Sequence, residues 1–279
     1  MESNKKILAD LQRSAKDPVT HKRSQADFAK TFERLGVEKR EASRFADFIL
    51  ASVLKASTLE QTESEIKNFF ECQKIAGKTI FELIKEGLAE RFRIIYQQLK
   101  PYVKDVKGKA IDYGCGSGSL TQILHDQSGL DIEGVDVRDF RSPDVTVPVK
   151  VFDGYTVPVP DKYYACSVLT NVIHHEFDNE KILAELDRIT SKKLVVIETV
   201  PEADTEEAAR KDWGRMILND ALWNRFFNYA NIPVPGTYEI PSAWIKRFEK
   251  YGWKCAHSED LGFDQPTIQD RHHLLVFER

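Results

Sequence analysis

Asp112, Gly114, Gly116 and Gly118 stand at every second position, directly after the short apolar run Ala110-Ile111. A second acid, Asp136, closes the next apolar run, after Gly134-Val135. Glycines let backbone N–H groups come close to a ligand and let the chain turn sharply. A helix starting behind them turns its positive end toward the same place. A carboxylate at the end of the second strand can take both hydroxyls of a ribose. These types at this spacing describe a seat for an adenosyl ligand. The dinucleotide fingerprint Gly-x-Gly-x-x-Gly fits worse: after Gly114 and Gly116 it needs Gly or Ala at 119, where Ser119 stands. Asp112 would also repel a pyrophosphate, whereas it suits a ligand that carries an amino group and a sulfonium.

The stretch resembles the first motif of the class I S-adenosyl-L-methionine (SAM) dependent methyltransferases, an apolar strand followed by Asp/Glu-x-Gly-x-Gly-x-Gly. Asp112, Gly114, Gly116 and Gly118 match it one for one. The resemblance covers residues 105–279. It implies that Asp112, Gly114, Cys115, Gly116 and Gly118 cradle the methionine end of the cofactor. It implies that Asp136, with Val137 beside it, binds the ribose. Asp153 then meets the adenine amino group, with Phe152 near the ring. An Asp-Gly turn at 153–154 is the plainer reading of that last pair. The run Val157-Pro-Val-Pro-Asp161 and the later Thr170-Asn-Val-Ile-His-His175 are similar to the family region that borders the methyl group. One departure is Tyr164-Ala165, where the family often has an Asp.

Methyl transfer is an in-line displacement, so the protein's main task is to hold nucleophile and methyl carbon about 3 Å apart. A base is needed only when the acceptor is protonated, and histidine has a suitable pKa. Asn171, His174 and His175 are therefore the candidates nearest the chemistry, with Asn171 also touching the cofactor. A structural or cap role for each histidine stays open. A second pair, His272-His273, opens the last predicted strand. Two pairs raise an iron or zinc site completed by Glu198 or Glu176. Adjacent strand residues point to opposite faces, so at most one of each pair could enter such a site. The expectation is no metal.

These residues need elements to hold them. From Val106 on, short apolar runs at 110–113, 132–135, 149–152, 163–169 and 194–198 alternate with helical segments at 119–127 and 178–190. That alternation predicts an α/β fold, a Rossmann-like, seven-stranded, mostly parallel sheet with helices on both faces. A helix at 242–251 and a strand pair at 253–258 and 273–277 would finish it. Residues 1–104 read as an all-helical region, a lid or a dimer interface. Its apolar residues recur at helical spacing, as in Phe45, Ile49 and Val53, or Ile80, Ile84 and Leu88. The polar stretch 14–27, with Pro18 inside, reads as a loop.

Residues 105–279 would form the cofactor domain, interrupted at about 203–240 by an aromatic insertion. In the resembled family such insertions build the substrate pocket. Trp223, Phe226, Phe227 and Tyr238, with His272, are the expected acceptor contacts, and Tyr229 and Asn231 belong to the same stretch. Packing of this stripe onto the rest of the chain is the alternative.

Composition limits the function classes. Hydrophobic content of 42% and charged content of 30% describe an ordinary globular chain. A net charge of −4 gives no general attraction to nucleic acid or to an anionic membrane. The four cysteines lie far apart, without a Cys-x-x-Cys pair, and suggest reduced thiols and a cytoplasmic setting. The expectation is transfer of a methyl group from SAM to an oxygen or nitrogen of a small molecule. A protein or RNA methyltransferase, a non-catalytic SAM-binding module and an NAD-dependent enzyme are the alternatives.

Overall fold

The computed structural model describes residues 2–227, 232–266 and 268–279. In chain order the elements begin with helices α1 (Glu2–Lys16), α2 (Pro18–Arg34), α3 (Lys39–Lys55) and α4 (Leu59–Glu71). A small hairpin, β1 (Lys74–Ile75) and β2 (Lys78–Thr79), leads into the long helix α5 (Ile80–Val103). Then come β3 (Ala110–Tyr113), α6 (Ser119–Ser128), β4 (Ile132–Asp136), β5 (Val149–Val151) and β6 (Tyr164–Thr170). A short 3₁₀ turn (Ile173–His175) precedes α7 (Asn179–Ile189) and β7 (Thr190–Val200). The chain continues through α8 (Glu206–Ala221), a π-helical turn (Leu222–Phe227), α9 (Pro241–Glu249), β8 (Lys254–Gly262) and β9 (Arg271–Glu278). No described helix is long and apolar enough to cross a membrane.

Two compact units share these elements. The first comprises Met1–Glu90, Pro201–Tyr238 and Gln265–Arg271; the second comprises Arg91–Val200, Glu239–Asp264 and His272–Arg279. The insertion at 201–238 thus belongs with the N-terminal helices.

The first unit is helical around an aromatic core. Phe32 stacks on Phe70 at 5.2 Å and meets Phe45 edge-on at 5.3 Å, and Phe227 from the π turn closes on Phe70 at 5.2 Å. The expected loop at 14–27 is instead two helices with a break at Asp17. Pro18 begins α2, where its missing N–H costs nothing, and the Asp17 carboxylate accepts from Thr20 N at 2.8 Å. The proline marks a helix start rather than a gap.

The second unit is a seven-stranded sheet in the order β5-β4-β3-β6-β7-β9-β8. Strands β5, β4, β3, β6 and β7 run parallel, and β8 and β9 pair antiparallel. Strand residues alternate between the faces. Ile111 and Tyr113 pack with Leu183, Leu186, Trp244 and Phe248, whereas Ala110 packs with Leu99, Leu120 and Leu124. Both faces are covered, so β3, β4 and β6 are buried almost throughout. Strand order reverses between β3 and β6. In open α/β sheets ligands bind at such a switch point, outside the carboxyl ends of the strands. Asp112, Asp136 and Asn171 all lie there.

Candidate active site

The loop between β3 and α6 is bent through left-handed backbone, with φ of +74° at Gly114 and +53° at Gly116. The two glycines serve different purposes. A Cβ on Gly114 would lie 2.6 Å from Val172 Cγ2, so close packing against the end of β6 excludes one. A Cβ on Gly116 would meet nothing within 4 Å. Space therefore opens over Gly116, where a ligand would lie. Gly118 caps α6, whose N-terminus faces the same loop.

Asp112 is the last-but-one residue of β3, on the α6 side of the sheet, and is 1% exposed. Thr121 Oγ1 donates to its Oδ2 at 2.6 Å, while its buried Oδ1 has no hydrogen-bond partner among the described residues. Burial pushes the Asp112 carboxyl up to about 6; the Thr121 hydrogen bond opposes that rise and the Asp136 charge adds to it. A buried carboxylate with one unsatisfied oxygen is costly alone and favours a cationic partner. The ammonium group of a methionine moiety has that chemistry.

Asp136 ends β4 and is also buried. Gly116 N donates to its Oδ2 at 2.8 Å and Val137 N to its Oδ1 at 2.7 Å. Burial raises its pKa and these backbone donors counter the rise. Each oxygen keeps a second lone pair, so the carboxylate can still accept hydroxyl donors. Val137 beside it is half exposed. The Cys115 side chain is buried, and its Sγ would lie 2.7 Å from a Cβ on Gly134, so this thiol fills the space that glycine in β4 leaves. Burial holds that thiol far above its ordinary pKa.

Phe152 packs edge-on against Tyr113 at 5.2 Å. Asp153 Oδ1 accepts from Tyr155 N at 2.8 Å and Thr156 N at 2.7 Å, which holds its pKa down. It therefore shapes the turn at 153–156, whatever else its second oxygen meets.

The segment after β6 is held tightly. Asn171 has φ of +56°, a conformation rare outside glycine and most tolerated by Asn and Asp. Its N–H donates to Ile197 O at 2.7 Å, and its Oδ1 accepts from Thr199 Oγ1 at 3.4 Å. His174 is buried and His175 partly buried, their ring centroids 4.1 Å apart. His174 Nδ1 and Glu198 Oε2 are 2.6 Å apart. Glu198 Oε1 accepts from Val172 N at 2.9 Å and Ile173 N at 2.8 Å. Burial alone would push the Glu198 carboxyl up, but His174 and the two backbone donors hold it below its ordinary value.

Sequence reasoning weighed Glu198 only as a metal ligand and did not see Thr121. The signal for Glu198 was available: it is a lone acid inside the apolar run Leu194–Val200, where a carboxylate needs dedicated partners. The second histidine pair has partners of its own. His272 Nδ1 donates to the Asp264 carboxylate at 2.8 Å, and His273 Nε2 bonds Ser258 Oγ at 2.8 Å.

The expected acceptor contacts divide. Trp223, Phe226 and Phe227 are buried in the first unit, Phe227 among Phe32, Phe70 and Phe81. Tyr238 is buried there too, its hydroxyl donating to Asp220 Oδ2 at 2.9 Å. His272 lies in the second unit, on β9. Tyr229 and Asn231 fall outside the described residues.

A family model described as a methyltransferase domain matches residues 84–258. The search of curated proteins finds no relative. Among solved structures, the chain is similar to one in the complex between the Haloferax volcanii Trm112 methyltransferase activator and a proposed methyltransferase. The identity is 15%, with 69% of this chain and 92% of that chain covered and a TM-score of 0.50. It is similar to the 4+2 cyclase SpnF at 12% identity, with 67% and 80% covered and a TM-score of 0.50. It also matches geranyl diphosphate C-methyltransferase from Streptomyces coelicolor at 12% identity, with 67% and 76% covered and a TM-score of 0.48. At such identities the likeness is one of fold, and one fold hosts different reactions. The family match spans more than half of the chain, over the glycine loop, both acids and the histidine segment: the chain belongs to the methyltransferase-domain family and is a class I SAM-dependent methyltransferase.

Proposed function

We propose that the protein transfers a methyl group from SAM to an oxygen or nitrogen of a small-molecule acceptor. When bound, SAM supplies a methyl carbon made electrophilic by its sulfonium. The chain's own residues do the rest. Asp112 takes the ammonium group on its unsatisfied Oδ1. Gly116 leaves room for the methionine end. Asp136 takes the ribose hydroxyls, and Val137 and Phe152 flank the adenine with Asp153 at its amino group. Asn171, His174 and His175 lie along the segment after β6, where the reacting groups would meet.

One observation carries the reading: a buried carboxylate oxygen with no hydrogen-bond partner among the described residues stands on the strand that leads into a glycine with open space above it. An NAD pyrophosphate has no use for that acid. The sequence also lacks an Asn/Asp-Pro-Pro-Tyr motif after β6, which in the resembled family marks methylation of base and amide nitrogens. The net charge of −4 favours a small molecule over RNA.

The test is calorimetric titration with SAM, S-adenosylhomocysteine and NAD. Binding of both adenosyl ligands without NAD supports the reading. Binding of NAD alone, or of none of the three, overturns it.

A further inference from the structure

The turn at 153–157 has almost no core of its own. Asp153, Tyr155 and Thr156 are exposed, and only Val157 is buried. Such a loop moves freely unless side chains from other elements hold it. Here two elements do. Tyr113, the last residue of β3 and 2% exposed, donates its hydroxyl to Gly154 O at 3.1 Å. Burial and the neighbouring carboxylates push that hydroxyl far above its ordinary pKa, so it stays a donor. From α7, Glu185 Oε1 accepts from Val157 N at 2.7 Å, while Arg188 donates to Val157 O at 2.8 Å and to Val159 O at 2.7 Å. Arg188 grips Glu185 at the same time, Nε to Oε2 at 2.8 Å and Nη2 to Oε1 at 2.7 Å. Packing α7 onto the sheet does not need this pair, since Ile182, Leu183, Leu186 and Ile189 supply that contact. Burying a carboxylate is costly, and here the paired groups also tie down the loop.

These bonds aim Asp153. Tyr155 N and Thr156 N both donate to its Oδ1, which leaves Oδ2 for a ligand and holds the carboxyl below its ordinary pKa. A carboxylate can only accept hydrogen bonds. It favours a purine with an amino group at C6. It rejects one with a carbonyl oxygen there, whose lone pairs would face its own. A carboxylate free to swing aside would tolerate both.

We propose that Tyr113, Glu185 and Arg188 are positioning residues that hold Asp153 in place, and that the site thereby selects adenosyl compounds over their 6-oxopurine counterparts. This selectivity rests on the adenine placement proposed above and adds what enforces it. Adjacent strand residues face opposite sides, so β3 serves the two ends of the cofactor separately: Asp112 on the α6 side, Tyr113 on the α7 side.

Two mild variants test it on the full chain. Tyr113→Phe removes one hydroxyl, and Arg188→Lys keeps the charge but cannot reach two carbonyls and a carboxylate at once. Calorimetry compares S-adenosylhomocysteine with S-inosylhomocysteine, in which an oxygen replaces the adenine amino group. The native protein should prefer the adenosyl compound about 10–100-fold, the value of a hydrogen bond to a charged group. Each variant should lose part of that preference, and the double variant most of it. The loss should come from weaker binding of S-adenosylhomocysteine, with the inosyl compound bound as before. A merely structural role would weaken both ligands alike, and that result, or an undiminished preference in the double variant, overturns the proposal. A native protein that binds both compounds equally overturns it together with the placement of Asp153 at the adenine. Failure of the native protein to bind either compound would strike the methyltransferase reading itself. Amide hydrogen exchange on the unliganded protein then still decides about the positioning bonds. The amide of Val157 should be protected in the native chain and lose protection in both variants, while the amides of β3 and β6 keep theirs. Equal protection of Val157 in all three proteins overturns the proposal.

Discussion

Val172 presses both γ-methyl groups onto Gly114, leaving only 2.6 and 2.8 Å between them and the position a Cβ would take. The end of β6 and the loop after β3 are thus locked together by one missing methyl group. Gly114→Ala should cost about 1–3 kcal/mol from overpacking and displace the loop that seats the cofactor. Adding Val172→Ala should return part of that loss. The left-handed φ would keep about 1–2 kcal/mol of it. Urea unfolding of the four members of the double-mutant cycle measures the coupling; additive costs would show that the two residues do not meet.

Asp112 links cofactor affinity to pH. Its pKa stands at about 6 in the folded chain against 3.8 ordinarily. Between those values the folded protein holds a proton that the unfolded chain has lost. Stability contributed by this group therefore falls as pH rises through that window, and Asp112→Asn should stabilise the unliganded protein at neutral pH. A cationic ligand needs the ionised form. SAM affinity should drop about tenfold for each pH unit below about 6 in the native protein and stay flat in Asp112→Asn. Calorimetry at several pH values separates the two; parallel slopes would remove Asp112 from the ammonium site.

Asp136 combines a structural and a recognition task, since it already accepts from Gly116 N and Val137 N. Asp136→Ala should weaken SAM binding by about 1–3 kcal/mol, the usual cost of losing hydrogen bonds to a charged group. The native protein should also bind a cofactor analogue without ribose hydroxyls more weakly than SAM. The variant should not distinguish them. An unaltered preference in the variant would place the ribose elsewhere.

In the first unit, Arg215 is 2% exposed and forks onto both oxygens of Asp212, at 2.9 and 2.8 Å, while reaching Asp27 at 2.9 Å. Arg215→Met would leave the buried Asp212 and the partly exposed Asp27 beside an apolar chain. The expected loss is about 3–5 kcal/mol, read as a lower midpoint in urea. Arg215→Lys should recover little, because a point charge cannot replace the fork. A near-native midpoint for Arg215→Met would mean that the acids are satisfied without it.

The cofactor seat was legible because it is local. Asp112, the glycines and Asp136 announce themselves by type and spacing within 25 residues of chain, and strand alternation fixed the sheet around them. Two other features needed coordinates. His174 and Glu198 meet only because β6 and β7 are neighbours, and nothing in a 24-residue separation states that. Phe226 and Phe227 have the same composition whether they line a pocket or fill a core; only the burial of both and the contacts of Phe227 with Phe32 and Phe70 distinguish these, and those partners come from α2 and α4. Pro18 misled for the opposite reason, since the residue that stops one helix also begins another.

The helical unit is assembled from three separate stretches of chain, and this sets a schedule during synthesis. Arg34, on α2, finds the carbonyl of Gln265 only when the ribosome has added 231 more residues. Arg215 and Asn219 likewise wait for the carbonyl of Gln269. The helices made first must remain incomplete while strands β3 to β8 are being produced. No single cut can release either unit as a continuous fragment, and a growing chain exposes the unfinished aromatic core for most of its translation, the interval in which a chaperone would have work to do.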